Sequence, residues 1–155
     1  MIKFLKGVMM FVNKRATTLK EAVEVLEEIG QNLEILEEGI DRKINSSRGD
    51  IPLGSDKKYW SQLILLITNQ IVSLGTLYNS LSGTTILRSN QSKIIGLVEK
   101  AVADLSETTE DIKTVLEKNA TAITSIAGTK LLGAKVLRNL KRVRINLSVV
   151  KKMLI

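Results

Sequence analysis

Apolar residues return every seven positions at the head of this chain: Leu5, Val12, Leu19, Leu26, Leu33 and Ile40. A companion column of Val8, Ala22, Ile29 and Leu36 completes an a/d seam, with Arg15 and Lys43 as its polar exceptions. A 3.5-residue period keeps one face of an α-helix against a partner helix along its whole length, so the pattern predicts a helix near residues 2–45. Unbroken, that helix would reach roughly 65 Å at 1.5 Å per residue. Thr18-x-x-Glu21 has the form of a capping box, whose hydroxyl and carboxylate satisfy orphan amide donors at a helix start. It would set residues 1–15 apart as a separate amphipathic helix. The seven-residue phase runs through that point, and continuity is the expectation.

The period is lost across 46–56, a tract of Ser, Gly, Pro and charge in which Ser55 or Asp56 could cap the next helix. Between 57 and 81, Trp60, Ile64, Ile67, Ile71, Leu74, Tyr78 and Leu81 alternate spacings of three and four, a second a/d seam. Residues 82–92 read as a turn. A third helix is predicted over 92–127, with Val98, Leu105, Ile112 and Ile126 in one column and Asn119 in its gap. Ile94, Ala101, Thr108, Val115 and Ala122 form the paired column. The phase then slips beside Gly128 and Gly133, which marks a turn, kink or stammer. Leu132, Val136, Leu140, Val143, Leu147, Val150 and Leu154 start a new seam in a fourth helix over 129–155. The fold class that follows is all-α, an antiparallel bundle or coiled coil of about four long helical segments, most simply one domain.

The second helix differs from the others in carrying no charge from Tyr59 to Leu87, between Lys58 and Arg88. A membrane span needs about 20 mainly apolar residues, and Gln62, Asn69, Gln70 and Asn79 interrupt this one. Adjacent amides in mid-span are costly in lipid unless another helix receives them. A core helix of a small bundle ordinarily keeps one charged, wet face. Here the face opposite the seam offers Ser61, Leu65, Thr68, Val72, Gly75, Asn79 and Ser82, with Ser61, Thr68, Gly75 and Ser82 small and seven apart. Those residues, with Asn69 as a register-setting amide, are the expected oligomer interface. A plain core helix and a membrane contact are the competing readings.

Composition narrows the chemistry. Hydrophobic residues are 44% of the chain, aromatics 3%, and there is one proline, a balance that favours helices. With neither cysteine nor histidine, disulfides, thiolate or imidazole metal sites and Cys or His nucleophile–base pairs are excluded. Glu24, Glu27, Glu28, Glu34, Glu37, Glu38 and Asp41 stand at helical neighbour spacing, but di-iron helical sites use Glu-x-x-His. A solvated acidic face is the expectation. Arg48-Gly49-Asp50, four N-x-S/T matches and the glycines around Lys130 are generic pattern hits, and none has phosphate-loop spacing. No enzyme, cofactor, metal or small-molecule substrate is expected.

The net charge of +7 is unevenly placed. Residues 1–20 hold five basic residues and no acid, and 119–155 hold eight and no acid. The sixteen acids face ten basic residues between Glu21 and Lys118. In an antiparallel bundle the first helix starts where the last one ends. Lys3, Lys6, Lys14, Arg15, Lys135, Arg138, Lys141, Arg142, Arg144 and Lys151 are therefore the expected patch for an anionic partner. On the last helix Lys135, Arg138 and Arg142 form one strip and Lys141, Arg144 and Lys151 another.

Three readings of the basic ends compete. The cations can meet the acidic middle within or between subunits, as in a head-to-tail assembly. They can meet an anionic membrane surface, for which Ile2, Phe4, Leu5, Val8, Met9, Phe11 and Val12 among lysines suit an interfacial helix better than a cleaved signal. They can coat a nucleic-acid backbone without reading sequence, although few aromatics are present to stack on bases. The expected function is a non-catalytic, self-assembling helical structural protein of the kind found in oligomers, filaments, particles or secretion machines. A membrane-active helical protein is the alternative, and a nucleic-acid coat the third.

Overall fold

Thr18 starts the first helix. Its hydroxyl accepts a hydrogen bond from the Glu21 amide (3.2 Å), and the Thr17 and Thr18 hydroxyls both donate to the Glu21 carboxylate (2.9 and 3.3 Å). The capping box therefore overrides the seven-residue phase: Ala16 to Thr18 are not helical, and a helix does not run through from residue 2. The computed structural model describes residues 16–46, 53–82, 91–118 and 126–155. These form four helices, α1 (Leu19–Ser46), α2 (Leu53–Ser82), α3 (Gln91–Lys118) and α4 (Ile126–Leu154).

The fold is an all-α four-helix bundle with α1 against α4, α4 against α3, α3 against α2, and a looser contact between α2 and α1. Pairings fix the directions. Ala16 meets Ser80, Asn32 meets Gln70 and Lys43 meets Tyr59, so α2 runs back along α1. Asp104 meets Arg142 and Asp111 meets Lys135, so α4 runs back along α3. Glu27 meets Lys151 and Glu37 meets Arg144, which closes α4 antiparallel to α1. The helices thus go up, down, up and down, with α1 diagonal to α3 and α2 diagonal to α4. Ala16 and Leu154 lie at the same pole.

The expected seam of α4 is buried in full, from Leu132 to Leu154, and so are Leu26, Leu33, Ile40, Ala22, Ile29 and Leu36 of α1. Leu19, placed on the α1 seam by its spacing, is instead 42% exposed, because the helix begins there at the rim of the bundle. In α2 the inward column is Leu63, Gln70 and Leu77, one residue before the expected Ile64, Ile71 and Tyr78, which are half-buried at the edge. The helix also begins at Leu53, a turn earlier than Asp56 or Ser55 would have started it. Ile126, expected to finish the third helix, belongs to α4, which passes without a break through Gly128 and Gly133. The phase slip is thus the change from α3 to α4, upstream of both glycines. Gly133 has a packing role: a Cβ there would lie 2.6 Å from Ile44 Cγ1, so a bare backbone lets α1 and α4 approach.

Two polar layers cross the core. Buried Gln70 accepts a hydrogen bond from Asn32 Nδ2 (3.3 Å), and buried Thr108 accepts one from Asn139 Nδ2 (3.3 Å). Where α1 ends and α2 begins, the Tyr59 and Trp60 rings meet edge to face at 5.2 Å, with the Lys43 ammonium 5.5 Å from the Tyr59 centroid. Lys43, a polar exception in the α1 seam, thereby finds an aromatic face for its cation. Burial pushes the Tyr59 phenol well above its ordinary range, against a smaller opposing effect of Arg42. Glu99 raises Tyr78 as well, by hydrogen bonding to its phenol and by charge.

Below about pH 10 both phenols are neutral in the folded and unfolded chain, and neither affects stability. Above it the unfolded chain releases protons that the folded chain holds, so stability falls as pH rises. Absorbance at the tyrosinate band is expected to stay low through the pH at which free tyrosine titrates. Its second half should rise together with loss of helical ellipticity. A full tyrosinate signal with the helix intact would contradict the burial of Tyr59.

Candidate functional site

The outer face of α2 remains without a neighbour among the described residues. Ser61, Leu65, Thr68, Val72, Asn79 and Ser82 are exposed, with Leu65 at 63% and Val72 at 45%, while Asn69 and Gly75 are half-buried. Every expected interface residue is therefore on or beside a solvent-facing surface. A Cβ added at Gly75 would meet nothing within 4 Å. The hydroxyls along this helix turn back on their own backbone: Ser61 donates to the Lys57 carbonyl (2.9 Å), Thr68 to Ile64 (2.8 Å) and Thr76 to Val72 (3.1 Å). With those groups satisfied locally, the surface they leave is weakly polar.

The amides divide. Gln70 turns inward to Asn32 of the same chain and is part of the core, whereas Asn69 and Asn79 stay on the outer side. Lys57–Ser82 is also the one described helix stretch long and apolar enough to cross a membrane, and nearly half of its most apolar part is buried inside the bundle. Core packing on one side and a neutral surface on the other account for that hydropathy.

Neighbouring faces differ sharply. The exposed positions of α1 include Glu27, Glu28, Glu34, Glu38 and Asp41, and those of α3 include Glu99, Glu107, Glu110 and Glu117. Among the described residues no group of three or more carboxylates is arranged to hold a metal ion.

The basic residues of α4 do not act as one patch. Arg144 is drawn into the bundle, where its Nε and Nη2 donate to Glu37 Oε2 (2.6 Å) and Oε1 (3.0 Å). That bidentate bond raises the Arg144 pKa further above its ordinary value, with burial opposing. Lys151 pairs with Glu27 at 3.1 Å, Lys135 with Asp111 at 3.0 Å and Arg142 with Asp104 at 3.5 Å. These four of the expected patch residues lie along the two seams where α4 meets α1 and α3. Arg138 and Lys141 are exposed and make no ion pair among the described residues. The two strips read from spacing thus divide differently in space, into paired seams and an unpaired crest. Lys3, Lys6, Lys14 and Arg15, the membrane-surface candidates Ile2, Phe4, Leu5, Val8, Met9, Phe11 and Val12, and Arg48–Asp50 lie outside the described residues.

Spacing also passes over one feature of α4. Leu131 is 76% exposed, Ile145 60% and Val149 40%, on the side away from the core. The signal was present in the seven-residue series Leu131, Arg138, Ile145 and Lys152, hidden because apolar and basic residues alternate in it. No family model, curated protein or solved structure matches this chain.

Proposed function

We propose that this chain is a non-catalytic helical-bundle subunit that self-associates through the outer face of α2. The observation that carries the reading is a helix face without charge from Tyr59 to Ser82, displaying Leu65 and Val72 to solvent. Water stabilises such a face poorly, and a monomeric bundle ordinarily covers its outer surface with charge, as α1 and α3 do here. A second copy is the fitting occupant because the face matches itself. Two neutral surfaces meet without desolvating a charge, and the small residues Ser61, Thr68, Gly75 and Ser82 let two backbones draw near about a two-fold axis.

Light scattering or sedimentation of the purified chain tests this. A defined oligomer is expected without added lipid or nucleic acid, and Leu65→Glu with Val72→Glu is expected to return it to monomer. Gly75→Leu is a second probe, since the open space around Gly75 and leucine's better helix propensity leave the monomer intact. It should weaken the oligomer while helical ellipticity and melting of the monomer are kept. A wild-type chain that stays monomeric in dilute and concentrated solution would refute the proposal.

A further inference from the structure

The crest of α4 combines two properties along one continuous strip. Its exposed positions hold the large aliphatics Leu131, Ile145 and Val149, with Arg138 and Lys141 between them and Lys152 just beyond, none in an ion pair among the described residues. The series repeats at helical spacing over about six turns, so it forms one strip parallel to the helix axis. No carboxylate occurs anywhere in α4. The cations that carboxylates of α1 and α3 can reach are already paired, along the two seams. What remains on the crest is positive charge and exposed hydrocarbon in alternation.

We infer that this crest docks on an anionic lipid surface, with Leu131, Ile145 and Val149 entering the headgroup–acyl boundary and Arg138, Lys141 and Lys152 beside the headgroup phosphates and carboxylates. The occupant follows from what the strip asks for. It needs negative charge and an apolar interior alternating on the scale of one helix turn, and lipid supplies both without a fixed pattern. A shallow, open depression lined by Leu137, Arg138, Lys141 and Ile145 lies along the strip, and a fluid surface conforms to such relief without a fixed complementary shape.

A second copy fits poorly. The outer faces of α1 and α3 would set carboxylates against the α4 aliphatics, with Leu19 the one large exposed aliphatic on their described residues. The neutral outer face of α2 offers Leu65 and Val72 but no carboxylate for Arg138, Lys141 and Lys152. Nucleic acid would satisfy the cations and leave the aliphatics against a polar backbone. The inference does not depend on self-association, because α2 is diagonal to α4.

Flotation of the full chain with vesicles tests it, comparing phosphatidylcholine alone with phosphatidylcholine containing phosphatidylserine. The wild-type chain is expected on the serine-containing vesicles only. Arg138→Gln with Lys141→Gln should weaken binding roughly thirty-fold, since each basic residue at an anionic surface contributes about five-fold. Ile145→Trp, made together with Trp60→Phe so that it is the one emitter, reports insertion: its emission should shift to the blue on anionic vesicles and remain unchanged with phosphatidylcholine alone. Arg138, Lys141 and Ile145 are exposed or half-exposed, so circular dichroism should show an unchanged fold.

Equal vesicle binding by the wild type and the Arg138/Lys141 variant would overturn the proposal, as would an emission unmoved by anionic vesicles. Capture of the chain by a DNA duplex and not by vesicles, lost in the same variant, would assign the crest to nucleic acid and equally overturn it. The Leu65→Glu, Val72→Glu chain separates the two proposals: it should lose self-association and keep its dependence on Arg138 and Lys141 for vesicle binding.

Discussion

A chain carrying Arg144→Leu is expected to lose about 3 kcal/mol of stability, the lower end of the range for breaking a buried ion pair. The cost falls on the residue left behind. Glu37 has a side chain only 5% exposed, and both of its oxygens are held by the one guanidinium. Without Arg144, a carboxylate stays inside the bundle with neither counter-charge nor these two donors. The reverse change is milder, because Arg144 is 38% exposed and its long side chain can turn its head to water. Glu37→Leu is therefore expected to cost about 1 kcal/mol, the net worth of a hydrogen-bonded pair.

Replacing both with leucine should recover most of the loss, since apolar packing often equals a buried ion pair. Denaturant melts of the two single variants and the double variant measure this directly. Equal losses for the two single changes would show that Glu37 is not the buried partner. The raised Arg144 pKa keeps the guanidinium charged through neutral pH, so on the arginine side the contribution is lost only as pH rises into strong alkali.

Trp60→Ala is expected to cost about 4 kcal/mol, in the range for emptying a buried aromatic site. Trp60 is fully buried, packs edge to face with Tyr59 and sits where α1 ends and α2 begins. A void there removes contacts on several sides at once. Trp60→Phe should cost far less, about 1–2 kcal/mol. It keeps most of the ring volume, and the indole N–H has no acceptor among the described residues, so its removal breaks no hydrogen bond. Thermal melting of both variants gives the comparison, and a phenylalanine variant as unstable as the alanine one would contradict it. Because Trp60 is the single tryptophan, the wild-type emission should be blue-shifted in the native state and red-shift as the bundle unfolds.

Most of the architecture was legible in the spacing of aliphatic residues. The α4 seam is buried at all seven expected positions, because a helix clasped between two neighbours has one apolar stripe that the pattern marks clearly. Spacing placed the inner column of α2 one residue late. Gln70 reads as polar, and nothing local reveals that Asn32, in another helix, will receive it. The pairing of Glu37 with Arg144 was hidden for a related reason: eight carboxylates stand along α1, and only tertiary structure selects the one that turns inward. The start of α1 shows the opposite balance, where a local hydrogen-bonded cap at Thr18 prevails over a periodicity that continues past it. The neutral face of α2 was visible directly, since absence of charge needs no partner to be read. The α4 crest was not, because a column that mixes leucine, isoleucine, arginine and lysine belongs to neither a core nor a solvated face.

The diagonal arrangement of α2 and α4 has a geometric outcome for any pair built on the first of them. Two copies joined back to back at α2 would carry their α4 ridges on the far sides, facing away from each other. Under the two proposals such a pair would seat one ridge at a time on a given bilayer and leave the other free for a second, so it would tether two vesicles together, whereas a lone copy would coat one.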